Sequence, residues 1–228
     1  MTIFVKPDGG GTPTGVAGVY DYNSLKQAVQ DWFARSDLGN WIDYFIQMGE
    51  QKIYRDVFAL NQGSGVKPME MAFTGTIATD GTMALPDGYL GLKNAVVNLD
   101  GNSFQLQRRN AEFIFTQFAF RGAGGSPEYI ARQGTSFIFG PSPDGPYTIT
   151  GIYWRKFPQL TVVNSTTWMT DTIPTILLAA VNGAAARFNK DGESLQMWDA
   201  EYASQLRDFL LADRAEEQSG SAFAMVAG

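Results

Sequence analysis

Cysteine and histidine are both missing from this 228-residue chain. Their absence removes disulfides, thiolate nucleophiles, the usual zinc and haem ligands, and every Ser-His-Asp or Cys-His catalytic arrangement. Any acid–base chemistry would fall to carboxylates, Lys or Tyr. Positive charge is scarce too: 17 Lys and Arg stand against 23 Asp and Glu, a net charge of −6. A field of that sign repels DNA as a whole, which argues against a sequence-reading nucleic-acid binder. No apolar run approaches the length of a membrane span, and Met1 to Gly11 lacks the basic-then-apolar order of a signal peptide. The expected product is soluble, made in a cytoplasm, and without a membrane partner.

What the chain does have is a helical pattern at both ends and a different one between them. Ile176, Leu177, Ala180, Val181, Ala184 and Phe188 recur at steps of three and four, and so do Leu195, Trp198, Tyr202, Leu206, Phe209 and Leu210. The turn-forming Asn189-Lys190-Asp191-Gly192 between them is short enough to force two antiparallel helices. Pro174 fits the first turn, where its missing N–H costs nothing. Ala179, Ala180, Gly183, Ala184, Ala185 and Ala186 make the first of the pair thin, so it reads as the buried centre of a bundle. Near the other end, Ser24 and Gln27 have capping-box spacing ahead of Leu25, Ala28, Val29, Trp32 and Phe33. After a break at Ser36 to Asn40, a second helix from Trp41 to Leu60 carries Ile42, Phe45, Ile46, Gly49, Ile53 and Val57 on one face.

Residues 66–166 switch to period two with Gly, Pro and Asp punctuation, the signature of strands. Met71, Phe73, Ile77, Met83 and Leu85 suggest a hairpin around Asp80-Gly81, and Ala95 to Leu99 with Phe104 to Gln107 a second around Asp100-Gly101. Asn110 to Phe120 suits a short helix or a strand. Tyr129 to Gln133, Thr135 to Phe139 and Tyr147 to Trp154 read as further strands, and the loop Gly140 to Pro146 is too proline-rich to sit inside a sheet. The fold expected is therefore α+β. N- and C-terminal helix pairs (22–65 and 167–217) form a four-helix bundle, an antiparallel β-rich domain (66–166) is inserted, and a flexible arm (1–21) and a tail (218–228) flank them. The tail's apolar Phe223, Met225 and Val226 fit either a disordered end or a segment that docks on another subunit.

No motif announces chemistry. Gly9-Gly10-Gly11 and Gly122 to Ser126 lack the spacing and the following Lys of a phosphate cradle. Asp80-Gly81, Asp87-Gly88, Asp100-Gly101, Asp144-Gly145 and Asp191-Gly192 do not continue into a calcium loop and read as turns. Glu193, Asp199, Glu201 and Asp208 lie along a helix whose apolar stripe is already assigned and read as a solvated face. Arg108-Arg109 and Arg155-Lys156 are the adjacent basic pairs. With Phe223, Met225 and Val226 they are the candidate partner-interface residues. No residue is expected to be catalytic, and no cofactor or metal is expected.

The order of these pieces is more specific than any one of them. An aromatic strand Tyr147 to Trp154 runs into Arg155-Lys156-Phe157-Pro158, a polar link Asn164 to Asp171, Ile173-Pro174 with an alanine-rich helix, and Trp198-Asp199-Ala200-Glu201-Tyr202 in a long closing helix. Upstream stand Tyr22-Asn23-Ser24-Leu25, a helix ending Tyr54-Arg55-Asp56, and Leu85-Pro86-Asp87-Gly88-Tyr89-Leu90. From Tyr22 to Arg214 this succession resembles the head-to-tail adaptor proteins of short-tailed bacteriophages. The resemblance implies a homo-oligomeric ring, usually a dodecamer, bound to the portal protein above and to tail nozzle, tube or fibre proteins below. Double-stranded DNA would pass through its channel without sequence-specific binding. The protein would sit at the head–tail junction of the virion after synthesis in the host bacterial cytoplasm. Two alternatives stand beside it: a virion-associated cell-wall hydrolase using a carboxylate pair, and a tail-fibre attachment module.

Overall fold

The computed structural model describes residues 18–99, 101–120 and 124–219. The architecture is mixed α+β. The helices described are α1 (Tyr22–Phe33), α2 (Ile42–Leu60), α3 (Ala111–Gln117), α4 (Trp168–Thr172), α5 (Pro174–Asn189) and α6 (Gly192–Ser219).

Helix α1, expected to begin at Asn23 or Ser24, begins at Tyr22 with Asp21 as its cap. Asp21 Oδ1 accepts from Ser24 N at 2.7 Å, and Ser24 Oγ accepts from Asp21 N at 2.8 Å. The capping box is thus Asp21/Ser24 and not Ser24/Gln27. An ionised carboxylate at the positive end of a helix is a strong cap, and the hydrogen bonds from Ser24 lower the Asp21 pKa. Helix α2 buries all six residues of its expected stripe.

Helix α5 is the element on which α1, α2, α4 and α6 all pack. Nine of its 16 residues are buried, so it has little solvent face. Its small side chains admit close neighbours: a methyl group on Gly49 of α2 would lie 2.9 Å from Val181 Cγ2 and 3.2 Å from Val181 N. At the turn into α6, Lys190 takes the left-handed conformation (φ 57°). Gly192 cannot serve there, being already the first residue of α6, whose start Asp191 caps by accepting from Ser194 N (3.1 Å) and Ser194 Oγ (2.6 Å). Phe188, expected inside, is 41% exposed at the end of α5, where its ring lies 4.9 Å from Trp41 and 5.4 Å from Phe45. The stripe outruns the core by one turn.

Two four-stranded sheets fill the middle of the chain. The first has the order β1 (Glu70–Thr76), β10 (Thr148–Arg155), β3 (Tyr89–Leu99), β4 (Asn102–Gln105), all antiparallel. The second runs β2 (Thr82–Ala84), β8 (Ser136–Gly140), β7 (Tyr129–Gln133), β5 (Gln107–Arg108), with β5 parallel to β7. Period-two alternation sets the layers. Phe137 and Phe139 of β8 and Ile130 of β7 join Val97, Ile149 and Tyr153 of the first sheet in one core. The intervening Ile138 and Ala131 face outward and pack on Ile114 of α3. The segment left open between helix and strand is therefore a helix, capped by Asn110, whose side chain accepts from Phe113 N at 2.9 Å.

The expected hairpin around Asp80-Gly81 is not one. The chain does turn there, with Ala78 N bonded to Thr82 O, but β1 pairs with β10 while β2 pairs with β8. The turn passes the chain from one sheet to the other. The hairpin of β3 and β4 is present, with Gly101 at φ 83°. The proline-rich loop also departs from expectation, since Ser142–Pro143 (β9) forms a two-residue parallel ladder with Gly124–Gly125 (β6). That pairing lies outside both larger sheets.

A bulge joins the sheets to the helices. The β10–β3 register slips between Ile152 and Tyr153, so Lys93 has no ladder partner. Asn94 Oδ1 fills the gap by accepting from Ile152 N at 3.1 Å. Bulges re-aim side chains, and Lys93 reaches Glu70 at 2.5 Å and Glu217 on α6 at 2.8 Å. Val66, Met69, Trp154 and Leu160 bury themselves in the helical core, so the two parts share a packed boundary.

Candidate functional site

The return path from β10 to α4 is held by two residues one helical turn apart on α2. Glu50 accepts from Leu160 N at 3.1 Å, and the Tyr54 hydroxyl accepts from Phe157 N at 3.0 Å and Trp168 Nε1 at 3.2 Å. Burial pushes the Glu50 pKa up from 4.5 to about 7, against the opposing effects of the Leu160 hydrogen bond and of Lys156. A carboxyl titrating near neutrality is a candidate proton donor. Glu50, however, is 7% exposed and lines neither of the two grooves described for this chain. Its role is in the fold.

The shift sets a pH dependence. The folded chain keeps the Glu50 proton in a range where the unfolded chain releases it. This contribution to stability is complete below about pH 4.5 and lost as pH rises through about 7. Glu50→Gln removes the titration. Between pH 4.5 and 7.5, urea unfolding should show the variant gaining about 2–3 kcal/mol relative to the parent chain. A difference that stays flat with pH would rule out a raised Glu50.

The other buried titrating groups are pins as well. Tyr22 donates to Asp43 Oδ1 (2.8 Å) and Tyr202 to Asp56 Oδ2 (3.0 Å). Burial foremost, with those carboxylates, raises both phenols, Tyr22 to about 12. Of the α6 carboxylates, Asp199 pairs with Lys52 (2.5 Å) and Arg187 (3.7 Å), and Glu201 accepts from Gln205. Among the described residues no group of three or more acidic side chains is placed to hold a metal ion.

The molecule's surface offers contacts of three kinds. The first is aromatic. Trp41 (48% exposed), Tyr44 (50%) and Met48 (38%) step along the start of α2 beside its buried stripe, and Phe188 lies against both Trp41 and the buried Phe45. Their spacing of three and four was readable in the sequence, but the stronger stripe at Ile42, Phe45 and Ile46 drew the assignment.

The second is basic. Arg108 and Arg109, at the edge of the second sheet, are exposed, and β7 brings Arg132 to the same edge region: Arg108 and Arg132 both act on the Tyr89 phenol. Arg109 lies 5.3 Å from the Phe113 ring and 5.8 Å from that of Tyr129. Arg132 was not singled out from the sequence, because only strand pairing brings it near Arg108. Arg155 and Lys156 are elsewhere, at the exit of β10. Lys156 N donates to Gly88 O at 2.7 Å, Arg155 stacks 5.6 Å from Phe157, and Lys156 Nζ lies 6.0 Å from the Tyr54 ring of α2. Phe223, Met225 and Val226 lie outside the described residues.

The third is an open groove of about 450 Å³ between α2 and α6, with apolar Ala59, Leu206 and Leu210 in its lining. No helix among the described residues is long and apolar enough to cross a membrane.

A family model described as SU10 adaptor protein matches residues 20–225, from just before α1 to six residues past the end of α6. No curated protein matches the chain. The chain belongs to this family of phage head-to-tail adaptors, structural proteins of the virus particle.

Proposed function

We propose that this adaptor works by assembly and not by chemistry, as one subunit of a closed ring, of the dodecameric kind, seated between portal and tail around the DNA exit channel. In this reading the helices from the two ends (22–65 and 167–217) act as one bundle facing the portal and neighbouring copies. The β-rich middle (66–166) reaches toward the tail proteins, through Arg108 and Arg109 among others. Family membership is the observation that carries the proposal.

Two features support it. A ring needs two different surfaces on each subunit, because each copy meets its neighbours through unlike faces. The aromatic patch of α2 and the arginine cluster of the second sheet are unlike in chemistry and belong to different parts of the fold. The charge also suits a conduit: the β-rich residues 66–166 hold eight basic and seven acidic residues, while the remainder holds nine and sixteen. A helical part this acidic would let a duplex slide past without holding it.

The test is incubation with portal rings followed by mass measurement of the complex. A species many times the 25 kDa subunit is expected. The triple variant Trp41→Ala, Tyr44→Ala, Phe188→Ala removes exposed rings and should leave the helical circular dichroism intact. Aromatic residues at the centre of an interface each contribute roughly 2 kcal/mol or more, so incorporation should fall by well over tenfold. Undiminished incorporation would exclude the patch from the assembly contacts.

A further inference from the structure

The groove between α2 and α6 is preformed. At one end Tyr202 donates to Asp56 (3.0 Å); at the other Arg214 donates to Asn61 Oδ1 (2.7 Å) and to the Leu60 carbonyl (2.8 Å). These pins hold the walls apart and fix their spacing, so an occupant need not order them. Between the pins Leu60 and Leu211 are each 56% exposed beside the buried Leu206 and Leu210. Ala59 and Ala203 complete an apolar floor between the polar ends of the groove.

We infer that the groove binds this chain's own segment Ala222 to Val226, folded back along α6. Composition and reach both favour it. Residues 220–228 contain no charged side chain, and in an extended segment Phe223 and Met225 fall on the same side, which suits a one-sided apolar floor. From Tyr202 to Arg214 the groove runs roughly 18 Å along α6 at 1.5 Å per residue. Five extended residues span about 17 Å. The segment's root at Ser219 lies about 12 Å along the axis from Leu211. With Gly220-Ser221 reversing the chain, Ala222 to Met225 travel back about 14 Å, which sets Phe223 near the level of Arg214 and Met225 near that of Leu211. A tethered segment meets its groove at roughly millimolar effective concentration, far above that of a second copy in dilute solution. The family match extends to residue 225, inside this segment. The inference concerns the single subunit and does not depend on the ring.

The absence of native cysteine makes the test clean. The full chain carrying Leu211→Cys and Met225→Cys is oxidised at low concentration beside a control carrying Ala212→Cys and Met225→Cys. Ala212 is exposed and outside the groove lining. Both changed positions on α6 are exposed, and an unchanged thermal transition verifies folding. An intramolecular disulfide in the groove pair, formed about tenfold faster than in the control and at a rate independent of protein concentration, is the expected result. Adding Leu60→Glu should remove the advantage. Disulfide-linked dimers would overturn the proposal by giving the groove to a second copy. Equal rates in the two pairs would overturn it by leaving the groove to a different molecule.

Discussion

Tyr54→Phe, a change of one oxygen atom, is expected to destabilise the subunit by about 2–4 kcal/mol. The hydroxyl accepts from Phe157 N and from Trp168 Nε1, and both Tyr54 and Trp168 are buried. Deleting it leaves two donors without an acceptor, each costing roughly 1–3 kcal/mol. The edge-on contact of the two rings, 6.3 Å between centroids, survives in phenylalanine, so the measurement isolates the hydrogen bonds. Tyr22→Phe serves as the reference: its partner Asp43 is exposed and can turn to water. Urea unfolding of the two variants should therefore differ severalfold in effect. Equal losses would mean that the clasp on the return segment is not a principal tie between strands and helices.

Gly49→Leu is expected to cost about 3 kcal/mol or more, the upper end for overpacking. At this position α2 approaches the backbone of α5 itself, and the obstructing atoms include Val181 N and the Ala180 carbonyl carbon, which cannot rotate aside. Gly49→Ala provides the contrast. Its methyl gains roughly 1 kcal/mol of helix propensity over glycine but meets Val181 Cγ2 at 2.9 Å, so the two effects nearly cancel. Marginal stabilities of about 5–15 kcal/mol make the leucine variant a large loss. A leucine at position 49 that leaves the thermal transition unmoved would show that α2 and α5 are not in close contact.

Both sites rest on contacts of different legibility. The stripe of α2 from Ile42 to Val57 and the buried character of α5 could be read from spacing and small residues, because helical packing is written in local periodicity. The close approach at Gly49 is a local signal too, a glycine in the middle of an apolar stripe. Strand partners are another matter. The alternation in β1 and β2 fits any neighbour, and only the shared core decides that β1 lies beside β10 and β2 beside β8. The clasp is equally silent in sequence, since Glu50 and Tyr54 find partners 103 to 114 residues away. So is the arginine cluster, because Arg132 meets the Arg108 neighbourhood through strand pairing alone. The order of elements identified the family even so, because order survives when partners cannot be read.

Imaging the head–tail junction of intact particles, at a detail that traces helices, tests the assembly role most directly. The expected image is a closed ring of copies of this chain, each turning its α2 aromatic patch to a neighbouring protein, around a bore wide enough for duplex DNA. Copies attached singly to the outside of the tail, or a layer with no bore, would contradict it.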